Sequence, residues 1–252
     1  MSELQHPYSR AFELVADIYE RARPEYPPEA VAWLADRLDL QAGRTVLDLG
    51  AGTGKLTRAL VATGADVIAV EPGEAMLAEL VRAVPEAEAV HGAAENIPLP
   101  DTSVDAVTVG QAFHWFRHDE ALPELHRVLR PQGGISLVWN SRDQEAPLQR
   151  DLTDLIAPFF PPGRPGGPGG GFWAQPLAES DLFEALDERR FRFVQPLDAD
   201  RLVDRIASIS FVAASPLEER LALEQRLQEI VADNGGTVDF PYVTVVYVSR
   251  AV

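Results

Sequence analysis

Three glycines in five positions, Gly50, Gly52 and Gly54, interrupt the chain directly after an apolar run, Thr45-Val46-Leu47-Asp48-Leu49. Glycines packed this closely let the backbone turn tightly and approach a ligand with no side chain in the way. A helix-forming stretch, Lys55 to Thr63, follows and would point unpaired N–H groups at whatever occupies the turn. A second apolar run, Asp66-Val67-Ile68-Ala69-Val70, ends in Glu71-Pro72-Gly73. One carboxylate at the end of a second strand can accept both hydroxyls of a ribose. The chemistry expected here is therefore the binding of a nucleoside-containing cofactor.

Spacing separates the classes that use such turns. A phosphate-binding loop of the nucleotide triphosphatases needs a glycine at 49 and Ser or Thr at 56, and both positions are Leu. The dinucleotide fingerprint needs its third glycine at 55, which is Lys. What stands here is G-x-G-x-G with Asp48 two places before the first glycine. That pattern resembles the first motif of the class I S-adenosylmethionine (SAM) dependent methyltransferases. Further stretches resemble the same family in order: Glu71 at the ribose position, His91 to Leu99 as the adenine-side loop, Val104 to Gly110 as the fourth strand, and Leu122 to Gly134 as helix, turn and entry to the fifth strand.

The resemblance implies an enzyme with a seven-stranded, mostly parallel, doubly wound α/β sheet whose last strand is antiparallel. It also implies a set of cofactor contacts. These are the turn Gly50, Ala51, Gly52 and Thr53; Asp48 toward the SAM ammonium; Glu71 and Pro72 on the ribose; Met76 beside the adenine; Ala94 and Glu95 in the adenine loop; and Gln111 and Ala112 at the methionine end. Asp48 also reads as a structural carboxylate, Met76 as core, and Glu95 as a carboxylate at a helix N-terminus. Many relatives carry Asp where Ala93 stands, so adenine recognition would fall to backbone groups and an apolar slot. Tyr19, Arg23 to Pro27 and Gln111 to Phe116 resemble a trans-aconitate and ubiquinone-type small-molecule subgroup. That resemblance implies that Arg23 would meet the SAM carboxylate and that Tyr8, Phe12 or Tyr19 would close the pocket; a surface salt bridge is the alternative for Arg23.

Methyl transfer from a sulfonium is an in-line displacement, so alignment and exclusion of water carry most of the burden. A base is needed only for a neutral hydroxyl or a protonated amine. His114, set among Phe113, Trp115 and Phe116, is the candidate, with a packed aromatic cluster as the equal alternative. The other four histidines are scattered and suggest no metal site.

The elements that must position these residues read as follows. Residues 1–42 form an N-terminal helical cover, 43–145 the SAM-binding core, 146–188 a flexible Gly/Pro loop and cap, and 189–252 the last strands with inserted helices. Phe12 to Tyr19 and Glu29 to Leu40 have helical spacing, and Pro161 to Gly171 is a glycine-proline run expected to act as a mobile lid. Phe191 to Val194 and Tyr242 to Val248 read as strands, and 198–209 and 216–232 as helices.

Composition bounds the function. With 22 basic against 39 acidic residues the net charge is −17, which opposes nucleic acid, whose binding draws on Lys and Arg. There is no cysteine, hence no disulfide, thiolate nucleophile or cysteine-held zinc. A polar N-terminus and the lack of a membrane-spanning stretch make the cytoplasm the expected compartment and give no role to a membrane. The expected reaction is methylation of a small molecule at oxygen. Methylation of nucleic acid or protein, a non-catalytic SAM-binding module and a nicotinamide oxidoreductase are the alternatives.

Overall fold

The computed structural model describes residues 23–159 and 171–252. Tyr8, Phe12, Tyr19, the first expected helix and all but the last residue of the expected lid lie outside them. In chain order the elements are α1 (Pro28–Leu38), β1 (Thr45–Leu49), α2 (Lys55–Val61), β2 (Asp66–Glu71), α3 (Glu74–Ala83), β3 (Glu88–His91), β4 (Val104–Gly110), a 3₁₀ turn (Phe113–Trp115), α4 (His118–Val128), β5 (Leu129–Arg142), α5 (Pro147–Ile156), a second 3₁₀ turn (Ala157–Phe159), α6 (Gly171–Ala178), β6 (Asp187–Leu197), α7 (Ala199–Ala207), α8 (Ser210–Ala213), α9 (Leu217–Asp233) and β7 (Val238–Arg250).

The seven strands form one sheet in the order β3-β2-β1-β4-β5-β7-β6. β1 pairs in parallel with β2 and β4, β2 with β3, and β4 with β5. Val46 to Leu49 are buried, as a central strand covered on both faces requires. The chain winds outward from β1 to β3 and then returns to β4. The order thus reverses between β1 and β4, and ligands of open α/β sheets bind at the carboxyl ends flanking such a switch point.

Contacts divide the chain into two units. The larger comprises Glu25–Ser141, Gly169–Phe191 and Thr244–Val252. Its core sets Leu34 and Leu38 of α1 and Leu56 and Leu60 of α2 with Val46, Val67, Val138 and Val246 of the strands. The smaller comprises Met1–Pro24, Arg142–Pro168 and Arg192–Val243. There Leu152 and Ile156 of α5, Leu202 and Ile206 of α7, and Leu223 and Leu227 of α9 gather with Phe240 and Tyr242.

The stretch expected as loop and cap, 146–188, contains two helices, α5 and α6. Pro147 opens α5 at a position where a missing N–H costs nothing, and Leu148, Leu152 and Ile156 recur every fourth residue. The neighbouring glycine-proline run masks this signal in the sequence. β6 and β7 are also longer than their alternating cores, since both extend into polar residues. No helix among the described residues is long and apolar enough to cross a membrane.

Asp105 fixes the amino ends of the central strands. Its carboxylate accepts from the Thr45 N–H at 2.8 Å, Arg130 Nη1 at 2.6 Å and Arg44 Nη1 at 3.1 Å. Burial opposes the charged form, but the Thr45 bond and the two guanidinium groups outweigh it and hold this carboxyl below its ordinary range. A depressed carboxylate contributes stability above its unfolded pKa and loses it as pH falls. Asp105→Asn should therefore cost about 1–3 kcal/mol in urea unfolding at pH 7, with the difference narrowing below about pH 4. A constant difference down to pH 3 would contradict this role.

Candidate cofactor and active site

The glycine turn lies at the carboxyl end of β1, and its three glycines do different work. Gly50, Gly52 and Gly54 all have positive φ, +68°, +59° and +91°. A Cβ on Gly50 would fall 2.7 Å from Ala112 Cβ, and one on Gly54 would meet Val84 at 3.0 Å and Leu80 at 3.2 Å. These two are small because protein packs against them. Around Gly52 no described atom lies within 4 Å of the same position. That face is clear of described atoms.

Glu71 borders the same turn. Its Oε2 accepts from the Gly52 N–H at 2.9 Å and its Oε1 from the Gly73 N–H at 2.8 Å. The Gly50 and Ala51 N–H groups donate to the Val70 carbonyl at 2.8 and 3.2 Å. The ends of β1 and β2 are thereby tied together.

Asp48 is fully buried beneath the turn. Its carboxylate accepts from Thr57 Oγ1 at 2.7 Å and Thr108 Oγ1 at 3.3 Å. Burial pushes its carboxyl up from 3.8 to about 7 against the pull of these two hydroxyls. Met76 is buried at the start of α3, and Thr53 is buried within the turn. Ala94 is buried as well, while Glu95 Oε1 accepts the Arg117 N–H at 2.9 Å, just ahead of α4. That is the helix-terminal role held open for Glu95.

Across the switch point, Gln111 takes a left-handed φ of +60°, rare for a residue with a side chain. Its N–H donates to the Val138 carbonyl at 2.9 Å and its Nε2 to the Asn140 carbonyl at 3.0 Å, which hold the strained backbone in place. Besides Ala112, the Phe116 ring lies 3.5 Å from the Cβ position of Gly50, so Gln111–Phe116 borders the glycine turn. The His114 imidazole is held between two indoles, Trp115 and Trp173, with both centroids at 4.6 Å. Phe113 is core: it is fully buried and packs on Phe116 and His118.

Several partners were not legible in the sequence. Trp173 follows the glycine-proline run, where helical periodicity is interrupted by Pro176. Glu25 binds Lys55 Nζ at 2.9 Å and Arg58 Nη1 at 3.1 Å, and its carbonyl accepts from Asn140 Nδ2 at 3.3 Å. A Cβ on Gly110 would lie 2.6 Å from Tyr26 Oη. Residues 25–26 thus lie against the end of β4 and the start of α2. Arg23 belongs by its contacts to the smaller unit, where its Nη2 donates to the Ser208 carbonyl at 2.9 Å. A cavity of about 490 Å³ is lined by Arg44, Asp105, Arg130, Gln132 and Arg250. It sits at the amino ends of the strands, opposite the switch point, and its arginines are engaged by carboxylates and backbone carbonyls.

Residues 47–137 match the family described as Methyltransferase domain. An uncharacterised methyltransferase of Mycobacterium bovis is 41% identical over 242 residues, which cover 94% of each chain. The chain belongs to the class I SAM-dependent methyltransferase family. The solved structure of a putative type II methyltransferase from Anaeromyxobacter dehalogenans shares 26% identity at a TM-score of 0.65, covering 91% of this methyltransferase and 97% of that chain. A demethylmenaquinone methyltransferase of Paenarthrobacter aurescens is 33% identical over 130 residues, about half of either chain.

The raised carboxyl of Asp48 gives this methyltransferase a signature in pH. A carboxyl whose folded pKa lies above its unfolded value contributes most below the unfolded pKa, and that contribution is lost as pH rises through about 7. Between pH 5 and 7 the wild type should lose up to about 1.4 kcal/mol per pH unit relative to Asp48→Asn. Parallel stability profiles for the two proteins in chemical denaturation would contradict the buried, protonatable state of Asp48.

Proposed function

We propose that the chain binds SAM at the glycine turn and transfers its methyl group to a small-molecule acceptor, at oxygen. The observation that carries this reading is the face of Gly52, clear of described atoms, beside Glu71. A backbone with room above it and a two-oxygen acceptor next to it suit a ribose and its substituents. When bound, SAM supplies an electrophilic methyl on a sulfonium. The protein's own residues have three tasks. Glu71 accepts the ribose hydroxyls beside the Gly52 and Gly73 N–H groups. Gln111 and Ala112, fixed by the Val138 and Asn140 carbonyls and by Gly50, line the methionine end. His114, its ring orientation set by two indoles, receives the acceptor's hydroxyl proton.

The acceptor pocket is assigned beside Gln111–Phe116 and Trp173. An apolar wall excludes water from the reacting atoms, which alignment-driven displacement requires. The charge of −17 supports a small molecule over a nucleic acid, since phosphate would be repelled at long range. A relative named for demethylmenaquinone supports the same class.

Calorimetry should give micromolar binding of SAM and S-adenosylhomocysteine and none of NAD; the reverse preference would overturn the reading. Glu71→Ala should weaken S-adenosylhomocysteine by about 1.5–3 kcal/mol through loss of two charge-assisted hydrogen bonds. An unchanged dissociation constant would mean that the ribose is held elsewhere. His114→Ala should lower kcat by about two to four decades with SAM affinity nearly unchanged. Equal loss of both would make His114 structural.

A further inference from the structure

The smaller unit holds two arginines, Arg205 buried and Arg142 half-buried, each with a buried guanidinium nitrogen that lacks an acceptor among the described residues. Arg205 stands between Leu202 and Ile206 on the buried face of α7 and is 3% exposed. Its Nε donates to Tyr242 Oη at 2.7 Å, and its Cζ lies 5.6 Å and 5.5 Å from the centroids of Phe240 and Tyr242. Its Nη1 is buried and has no acceptor among the described residues. Arg142, the last residue of β5, likewise has a buried Nη1 without a partner among them. Arg23 brings a third positive charge near them.

The same chain shows how it treats a structural arginine. Arg127 donates to Glu124 through Nε and Nη2, to Asp101 and the Leu99 carbonyl through Nη1, and to the Ile97 carbonyl through Nη2. Arg142 is the opposite case. Burial first, and then the charges of Arg205 and Arg23, push its guanidinium down to about 10, with only Tyr242 opposing and no carboxylate contributing. The neighbouring carboxylate, Asp143, is taken by Arg192 Nε at 3.1 Å and the Glu145 N–H at 3.2 Å. Among the described residues no carboxylate contributes at Arg142. Buried like charges without a counterion are costly, and an incoming anion removes that cost.

We propose that Arg142 and Arg205 seat a small oxyanion, a carboxylate or phosphate group carried by a small molecule. Guanidinium N–H donors match the oxygens of either group, and Tyr242 and Phe240 hold the Arg205 head in place. The seat itself does not depend on the methyl-donor reading. The narrower statement, that the anion belongs to the methyl acceptor and so makes the substrate an acid, does rest on it.

The test uses the whole chain as wild type and as Arg142→Met. Calorimetry at constant ionic strength with succinate, citrate and inorganic phosphate should give saturable binding of at least one, weakened about tenfold or more in the variant. Without ligand, Arg142→Met should melt at a higher temperature than wild type, because an uncompensated buried charge has been removed. A structural arginine predicts the reverse. Failure of all three anions to bind wild type, equal affinity in the variant, or a lower melting temperature would each overturn the proposal. S-adenosylhomocysteine titrated in parallel separates the two readings: its binding without an anion leaves only the methyl-donor reading, and an anion without it leaves only the seat. Transfer of label from methyl-labelled SAM into the bound acid identifies the acceptor as the anion's source; binding without transfer identifies an independently bound ion.

Discussion

Glu71 is the residue on which the glycine turn depends. Its two carboxylate oxygens accept one backbone N–H from each side, Gly52 after β1 and Gly73 after β2. Two parallel strands are tied by their own ladder, but nothing in that ladder fixes the loops beyond their carboxyl ends. The Glu71 bridge does so, together with the bonds from Gly50 and Ala51 to the Val70 carbonyl. It holds Gly52 at positive φ with one face clear of described atoms, while Gly50 and Gly54 are closed over by Ala112, Val84 and Leu80. A ligand meeting this turn finds a rigid backbone and a charged acceptor already oriented, so little ordering cost is left to binding.

The opposite bank of the switch point is built by different means. Gln111 sits in a conformation that side chains avoid, and it does so because both its N–H and its amide find carbonyls on β5. Local strain of this kind persists where surrounding bonds over-determine it. It sets the direction in which Ala112 to Phe116 leaves β4, and hence where His114 meets Trp173. Asp48 serves from below. Sealed from solvent and accepting from Thr57 and Thr108, it links α2, β1 and β4 under the turn.

The central sheet was legible because its signals are local. β1 and β2 are apolar runs, and the turn between β1 and α2 announces itself by three glycines. The same locality put Glu71 at the end of the second strand. Residues whose roles depend on distant partners were not. Trp173 acquires its place only when α6 folds against the 3₁₀ turn, and Glu25 only when it reaches Lys55, Arg58 and Asn140. Arg205 looks in the sequence like one more charge on a surface helix; only its burial between Leu202 and Ile206 makes it unusual. For Asp48 and Glu95 the sequence left two roles open, and their partners in the structure, Thr57, Thr108 and the Arg117 N–H, are ones that no spacing rule encodes.

A crystal structure of the full chain with S-adenosylhomocysteine would test the central claim most directly. The account predicts both ribose hydroxyls within hydrogen-bonding distance of Glu71, with the cofactor passing over the open face of Gly52 toward Gln111 and Ala112. A cofactor bound away from Glu71, or a ligand whose path leaves the Gly52 face empty, would contradict it.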